Sequence, residues 1–289
     1  MTKLRCALWC AAAAVLLSLG SCMALPVIVP DMVRSSTSVQ IDGARGPLSH
    51  ARSREIVARL AGGGAPTHIF DRHLALEQSI AESPLLAGNR VQLLQDGPST
   101  YRAMLAAIAL ARDHIHLETY ILDDDEVGRQ FAQALLARQR QGVQVSLIYD
   151  SVGALNTPAA FLQGLRDGGV RVLEFNPVNP PNAKVGWSAN QRDHRKLLIV
   201  DGRTAFLGGV NISGVYSGGS FGKPSRPRAD GSLPWRDTHL QLDGPVVAEF
   251  QKLFLETWRK QSGAPLGQRD FFPRLMPQGD EVVRAIGSS

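Results

Sequence analysis

The chain has 289 residues, of which 44% are hydrophobic and 20% charged. That balance is ordinary for a globular protein, leaves room for one large or two small domains, and excludes a disordered or fibrous chain. The formal net charge of +5 is too small to argue nucleic-acid binding by itself and suits an anionic lipid surface equally well.

The first 22 residues read as a targeting segment. Lys3 and Arg5 precede an almost wholly apolar run over residues 7–19, and Leu19-Gly20-Ser21-Cys22 follows. Charged, then apolar, then small residues is the order of a secretory signal. Leu three places before a Cys also resembles the bacterial lipobox, in which Cys22 becomes the acylated N-terminus; each buried CH2 of an acyl chain contributes about 0.8 kcal/mol of bilayer attachment. A plain cleaved signal and an uncleaved anchor are the alternatives, since the apolar stretch continues to Val29 and is long enough to span. Pro26 and Pro30 count against one continuous helix there. On the lipoprotein or anchor reading the protein is held at the cell membrane, facing the periplasm or exterior. Cys6, Cys10 and Cys22 are the only cysteines, so the mature body has neither a disulfide framework nor a Cys-based metal site or nucleophile.

Residues 23–88 form a mixed lead-in with short amphipathic helices expected over 52–60 and 74–80, and loops at 35–38 and 62–64. From residue 89 the pattern is regular. Strands are expected over 90–94, 115–122, 143–149, 170–175, 196–200, 204–207 and 237–242. Helices are expected over 101–111 with Ser99 as cap, 126–141 ended by Gly142, 155–167 ended by Gly168-Gly169, and 246–261. A tight turn at Asp201-Gly202 joins the strands on either side of it. Strands alternating with helices predict an α/β fold, a central mixed sheet flanked by helices, over residues 89–278. Residues 213–234 are rich in Gly, Ser and Pro, a loop longer than most compact domains carry.

One motif carries chemistry. His194-x-Lys196, four residues, then Asp201 is followed by Gly208-Gly209-Val210-Asn211. This pattern is identified as the signature of the phospholipase D superfamily. Tyr149-Asp150-Ser151, Phe175-Asn176-Pro177 and Trp235-Arg236-Asp237-Thr238-His239 resemble its bacterial cardiolipin synthase branch. The resemblance runs from about Asn89 to the end of the chain and implies a phospholipase D-like fold.

The spacing has its own physical reading. Two residues apart on a strand, His194 and Lys196 share a face and can reach one phosphate. Lys196 brings three donors and a positive charge, Asn211 an amide donor, and Gly208 and Gly209 room for a phosphate to approach backbone N–H groups. Lys and Asn then do what Mg2+ does elsewhere, and neither a metal ion nor a cofactor is called for. His194 attacks phosphorus as a neutral imidazole, which requires an acceptor on its other ring nitrogen. The resemblance implies a downstream carboxylate for that role. Asp237 is the candidate, with pairing to Arg236 or a strand-end hydrogen bond as the alternative. Asp201 is expected to brace the turn. Asp123, Asp124 and Asp125 suit helix capping better than a metal site. Glu118 either faces the site or makes a structural pair, and Arg192 is a solvated neighbour or a secondary phosphate contact. Lys223, Arg226 and Arg228 place the 213–234 loop at lipid headgroups.

The resemblance also implies what else is needed. Members of this branch carry two such motifs whose histidines face one phosphodiester, one as nucleophile and one as general acid. No second His-x-Lys occurs here, and residues 279–289 resemble the first strand of a truncated second half. Which role His194 takes therefore stays open, and a second half or a second copy is the expected partner. The implied activity is phosphatidyl transfer between two phosphatidylglycerol molecules. Phospholipase D hydrolysis, metal-independent nuclease activity and an inactive fragment are the alternatives, and no nucleic-acid partner is expected.

Overall fold

The computed structural model describes residues 39–61, 73–74, 76–77, 83–178, 190–218 and 234–287. The expected leader with Cys22, the loops at 35–38 and 62–64, and Lys223, Arg226 and Arg228 with most of their loop lie outside the described residues.

A mixed sheet forms the centre. Its strands are β1 (Ile41–Gly43), β2 (Gly46–Pro47), β3 (Leu85–Leu94), β4 (His114–Thr119), β5 (Gln144–Asp150), β6 (Arg171–Phe175), β7 (Leu197–Val200), β8 (Thr204–Gly208), β9 (His239–Asp243) and β10 (Glu281–Val283). They run in the order β2-β1-β3-β9-β8-β7-β4-β5-β6, with β10 on β3. Five helices accompany them among the described residues: α1 (His50–Leu60), α2 (Gly97–Leu110), α3 (Glu126–Arg140), α4 (Ala159–Asp167) and α5 (Val247–Lys260). The α/β reading of the sequence holds. The segment expected to open a second half contributes β10, whose Val282 pairs with Ala87 of β3 in this same sheet.

Two layers of apolar side chains close the sheet. Tyr101, Met104 and Ile108 of α2, Phe131 and Leu135 of α3, and Leu162 and Leu165 of α4 pack on the face carrying Ile115, Leu117, Leu198 and Phe206. Val247, Phe250, Phe254 and Trp258 of α5 pack on the other, against Ile148, Leu197 and Ile199. Phe254 is fully buried, and truncating such a ring to Ala costs about 3–5 kcal/mol. The central strand β4 is buried along its whole length. Its side toward α5 is nevertheless polar: His116 stacks on Phe254 at 4.2 Å and bonds Gln251 at 2.7 Å, and burial holds it neutral.

Local chemistry explains where the elements start. Helix α2 begins at Gly97 rather than Tyr101, and its cap is Asp96 rather than Ser99. The Asp96 carboxylate accepts from Ser99 N at 2.8 Å and the Ser99 hydroxyl answers at the Asp96 backbone, a capping box, with Pro98 in the first turn where no N–H is missed. Helix α4 begins at Ala159 because Pro158 holds an extended conformation at its entrance. Between β7 and β8, Asp201 and Gly202 both take positive φ, 53° and 61°, the two-residue turn that matches strand twist.

This topology gathers one set of ends. Strands β4, β5 and β6 are parallel, while β7 runs antiparallel to β4 and β9 runs antiparallel to β8. The ends of β4, β5 and β6 therefore share one edge of the sheet with the starts of β7 and β9.

Candidate active site

His194 and Lys196 lie on that edge, in extended chain just ahead of β7, which starts at Leu197. They are not yet in the ladder, but their side chains alternate as a strand's do. His194 is exposed, whereas Lys196 is buried, only 7% exposed. The Lys196 ammonium stands 3.1 Å from His194 Nδ1 and 2.6 Å from the His194 carbonyl oxygen. Tyr120, the residue after β4, walls the pair: its ring lies 4.5 Å from the imidazole and 5.2 Å beneath the ammonium. Burial pushes the Lys196 pKa down to about 8, against the pull of Asp193, Asp237 and Asp150. Partial burial, and then Lys196, hold His194 below the ordinary imidazole range. An ammonium can only donate, so Nδ1 accepts and the neutral ring carries its proton on Nε2.

A layer of charge lies behind this pair. Asp150 ends β5 fully buried; one carboxylate oxygen accepts from Val152 N and Gly153 N, and the other from Asp193 N at 2.9 Å. The chain entering His194 is thereby fixed to the end of the neighbouring strand. Asp193 and Arg195 point to the Glu118 side of the segment, and His194 and Lys196 to the Tyr120 side. Arg195 Nε meets Asp193 at 3.1 Å, and its Nη2 meets Glu118 at 3.2 Å. Glu118 thus makes the structural pair. Arg192 reaches Ser151 Oγ at 2.8 Å and the Asn176 carbonyl at 3.0 Å, so it ties the loops after β5 and β6 together.

The glycines serve other ends than the spacing suggested. A Cβ on Gly208 would stand 2.5 Å from the Thr238 carbonyl, and one on Gly209 2.0 Å from the Asp237 carboxyl. The Gly209 N–H donates to the Thr238 carbonyl at 2.9 Å. The room over Gly209 therefore holds the Asp237 carboxylate, and this N–H is already engaged. Asp237 is exposed, accepts from Thr238 N at 2.8 Å, and supports the charge on Lys196. Among the described residues no carboxylate hydrogen-bonds the His194 ring, whose inner nitrogen faces Lys196 instead.

Asn211 is buried and largely committed. Its Oδ1 accepts from Ile121 N at 2.9 Å and its Nδ2 donates to the Tyr216 hydroxyl at 2.8 Å, which leaves one amide N–H. Tyr101 donates from below to the carbonyls of Asn211 and Ser213. Asp201 sits at the opposite end of β7 and braces the turn: it accepts from Arg112 N, Asp113 N and His114 N at 2.8–3.1 Å. Asp125 caps α3 through Gly128 N, Asp124 pairs with Arg129, and Asp123 takes the Ser213 hydroxyl.

Four residues of this neighbourhood escape the sequence reading of the site: Tyr120, Asp150, Asp193 and His239. Asp150 had a signal, a carboxylate closing an otherwise apolar strand. Asp193 is implied by alternation about His194. His239 pairs with Gly208 across the sheet and is buried with both ring nitrogens unpartnered. Burial, and then Lys196, push its pKa down to about 4.

Fold and site together define a phospholipase D-like domain: a mixed sheet between helical layers, with a His-x-Lys pair on the edge where its parallel strands end. Residues 104–216 match the family described as "Cardiolipin synthase, PLD-like domain". A cardiolipin synthase of Alkalihalophilus pseudofirmus is 36% identical over 217 residues, 74% of this chain and 41% of its own length. Cardiolipin synthase A of Pseudomonas entomophila is 40% identical over 215 residues, 72% of this chain and 41% of its own length. The solved structure of Nuc from Salmonella typhimurium, a phospholipase D family member, aligns at 18% identity with a TM-score of 0.42, covering 62% of this chain and 99% of that one, a likeness too weak to carry an argument. Residues 104–216 are a phospholipase D-like domain, and the chain, similar to bacterial cardiolipin synthases, spans about two fifths of the length of the curated relatives it matches. Among the described residues no helix is long and apolar enough to cross a membrane.

Proposed function

We propose that this chain supplies one His-x-Lys half of a membrane-attached cardiolipin synthase, which moves a phosphatidyl group from one phosphatidylglycerol to a hydroxyl of another and releases glycerol. The observation that carries the reading is the Lys196 ammonium held 3.1 Å from the His194 ring, in a chain similar to cardiolipin synthases over more than 70% of its length.

His194 attacks phosphorus through Nε2. The P–O bond to glycerol breaks, the leaving oxygen takes a proton from a second histidine, and a phosphatidyl-histidine remains. A hydroxyl of the second lipid, deprotonated by that same group, then attacks phosphorus and breaks the P–N bond. Before attack the His194 proton must move from Nε2 to Nδ1. An arriving phosphate draws the Lys196 ammonium onto its non-bridging oxygens and frees Nδ1, and Asp237 is the carboxylate proposed to receive the new N–H. Attack and departure occur on opposite sides of phosphorus, so the second histidine comes from another half or another copy. Acylated Cys22 and the loop carrying Lys223, Arg226 and Arg228 are proposed to hold the domain at an anionic surface on the periplasmic or outer side.

The test is product analysis with headgroup- and acyl-labelled phosphatidylglycerol in membranes carrying the full chain. Labelled cardiolipin plus free glycerol, lost in His194→Ala, is the expected result. Phosphatidic acid alone assigns hydrolysis, and DNA cleavage in EDTA without lipid turnover assigns a nuclease; either overturns the proposal. Palmitate labelling that disappears in Cys22→Ala tests the attachment.

A further inference from the structure

Behind His194 and Lys196, the inward-facing residues of the same segment form a buried acid cluster. Glu118 is 0% exposed and Asp193 6%, and both lie between the sheet and α5, beside Thr257. A single guanidinium, Arg195, serves both, and it also donates to Thr257 Oγ1 at 2.6 Å. Thr257 directs its own hydroxyl proton to the Leu253 carbonyl at 3.1 Å. Asp193 Oδ2 and both Glu118 oxygens lack a donor at good hydrogen-bond geometry, the Arg195 contact with Glu118 at 3.2 Å being an ion pair, and the Thr257 hydroxyl adjoins Glu118. Two buried carboxylates share one directly paired cation, Arg195, while of the two the Lys196 ammonium acts on Asp193 alone; Glu118 and Asp193 are left as adjoining like charges with orphaned acceptors, which a protein interior tolerates poorly. One proton removes both problems: it cancels one of the two like charges and turns one acceptor into an O–H donor for another.

We propose that Glu118 is a protonated carboxylic acid at neutral pH, that it donates to the open oxygen of Asp193, and that this acid pair is the positioning element setting His194 and Lys196 toward substrate. Burial and the adjoining Asp193 both raise the Glu118 pKa, while Arg195 and the Thr257 hydroxyl oppose them. The remaining charges nearby are Lys196 and His194, both of which feel Asp193, Glu256, which acts on Arg195, and Asp150 with Arg192 at 3.7 Å. The pair acts through the backbone. Asp193 is clamped at its N–H by Asp150 and at its carboxylate by Arg195, so its position decides where the next residue, His194, points. Glu118 is the one side chain of the set that comes from β4.

The experiment has two arms on the full chain, and only the second rests on the proposed activity. In infrared spectra at neutral pH, the carbonyl stretch of a protonated acid is expected in the wild type and absent in Glu118→Gln. In the turnover assay Glu118→Gln, which keeps the shape and offers an N–H in place of the O–H, is expected to stay within about threefold of wild type. Glu118→Ala is expected to lose roughly a hundredfold in kcat with little change in KM. The inference is overturned if the wild type shows no acid band or if the band persists in Glu118→Gln. It is equally overturned if Glu118→Gln, with wild-type thermal stability, is as defective as Glu118→Ala. If even the wild type turns over no lipid, the activity reading fails while the infrared arm still decides the protonation.

Discussion

Lys196 folds back over its own chain, placing its ammonium 2.6 Å from the carbonyl oxygen and 3.1 Å from the ring nitrogen of His194. The two site residues are therefore one electrostatic unit in which any change at Lys196 is felt by the imidazole.

Binding of an anionic phosphodiester should weaken as pH rises through about 8, where the free Lys196 loses its charge. In the bound complex the anion favours the ammonium, so the same limb should move to higher pH. Lys196→Arg should abolish it, because a guanidinium stays charged. Titration of analogue binding from pH 6 to 10 checks this, and a limb that survives in Lys196→Arg belongs to another group.

The same depression acts on stability. The pKa of Lys196 is lower in the fold than its ordinary 10.5, so the charged form costs stability below pH 8, and that cost fades as pH rises from 8 toward 10.5. Lys196→Met should raise the unfolding free energy at pH 7 by roughly 1–3 kcal/mol and by less at pH 10. Urea denaturation at the two pH values measures the difference.

Asp201→Ala should cost about 3 kcal/mol, since three backbone N–H groups lose a charged acceptor and the turn loses a residue that tolerates positive φ. Asp201→Asn should cost less, because it keeps an acceptor and the turn preference. The His194 ring resonances should stay unchanged in both variants by NMR. A shifted His194 signal would show that Asp201 reaches the site after all.

Gly209→Ala should destabilise by roughly 1–3 kcal/mol, because the added methyl meets the Asp237 carboxyl. Asp237→Gly in the same chain should restore most of that loss, whereas two independent defects would add. The four proteins of this cycle need only thermal unfolding curves.

Much of the architecture is legible from pattern alone. The alternation of strands and helices, the Asp201-Gly202 turn and the His-x-Lys pair follow from periodicity and spacing. What the spacing hides is which neighbour claims each group. Nothing in Gly208-Gly209 says that the open space belongs to Asp237, 28 residues later in the chain. Nothing in the apolar setting of Glu118 says that its partner is Arg195, the residue after His194. Tyr120 becomes a wall of the site only when β4 and β7 lie side by side. Pairings between distant segments are fixed by tertiary packing, and local sequence carries little of that information. Helix starts expected at Tyr101, capped by Ser99, and at Leu155 are misplaced for a nearer reason: Asp96 and Pro158 set the boundaries, and caps outrank apolar periodicity there.

The alternation of Asp193 and Arg195 on the Glu118 side with His194 and Lys196 on the Tyr120 side makes the motif a two-sided strip. A slip of one residue exchanges the faces, taking the imidazole and ammonium away from Tyr120 and the ion pair away from Glu118. The position between His and Lys is then no spacer. Arg195 is the keel of the segment, so a library that randomises residue 195 while leaving His194 and Lys196 untouched should still sort sharply between working and failed enzymes.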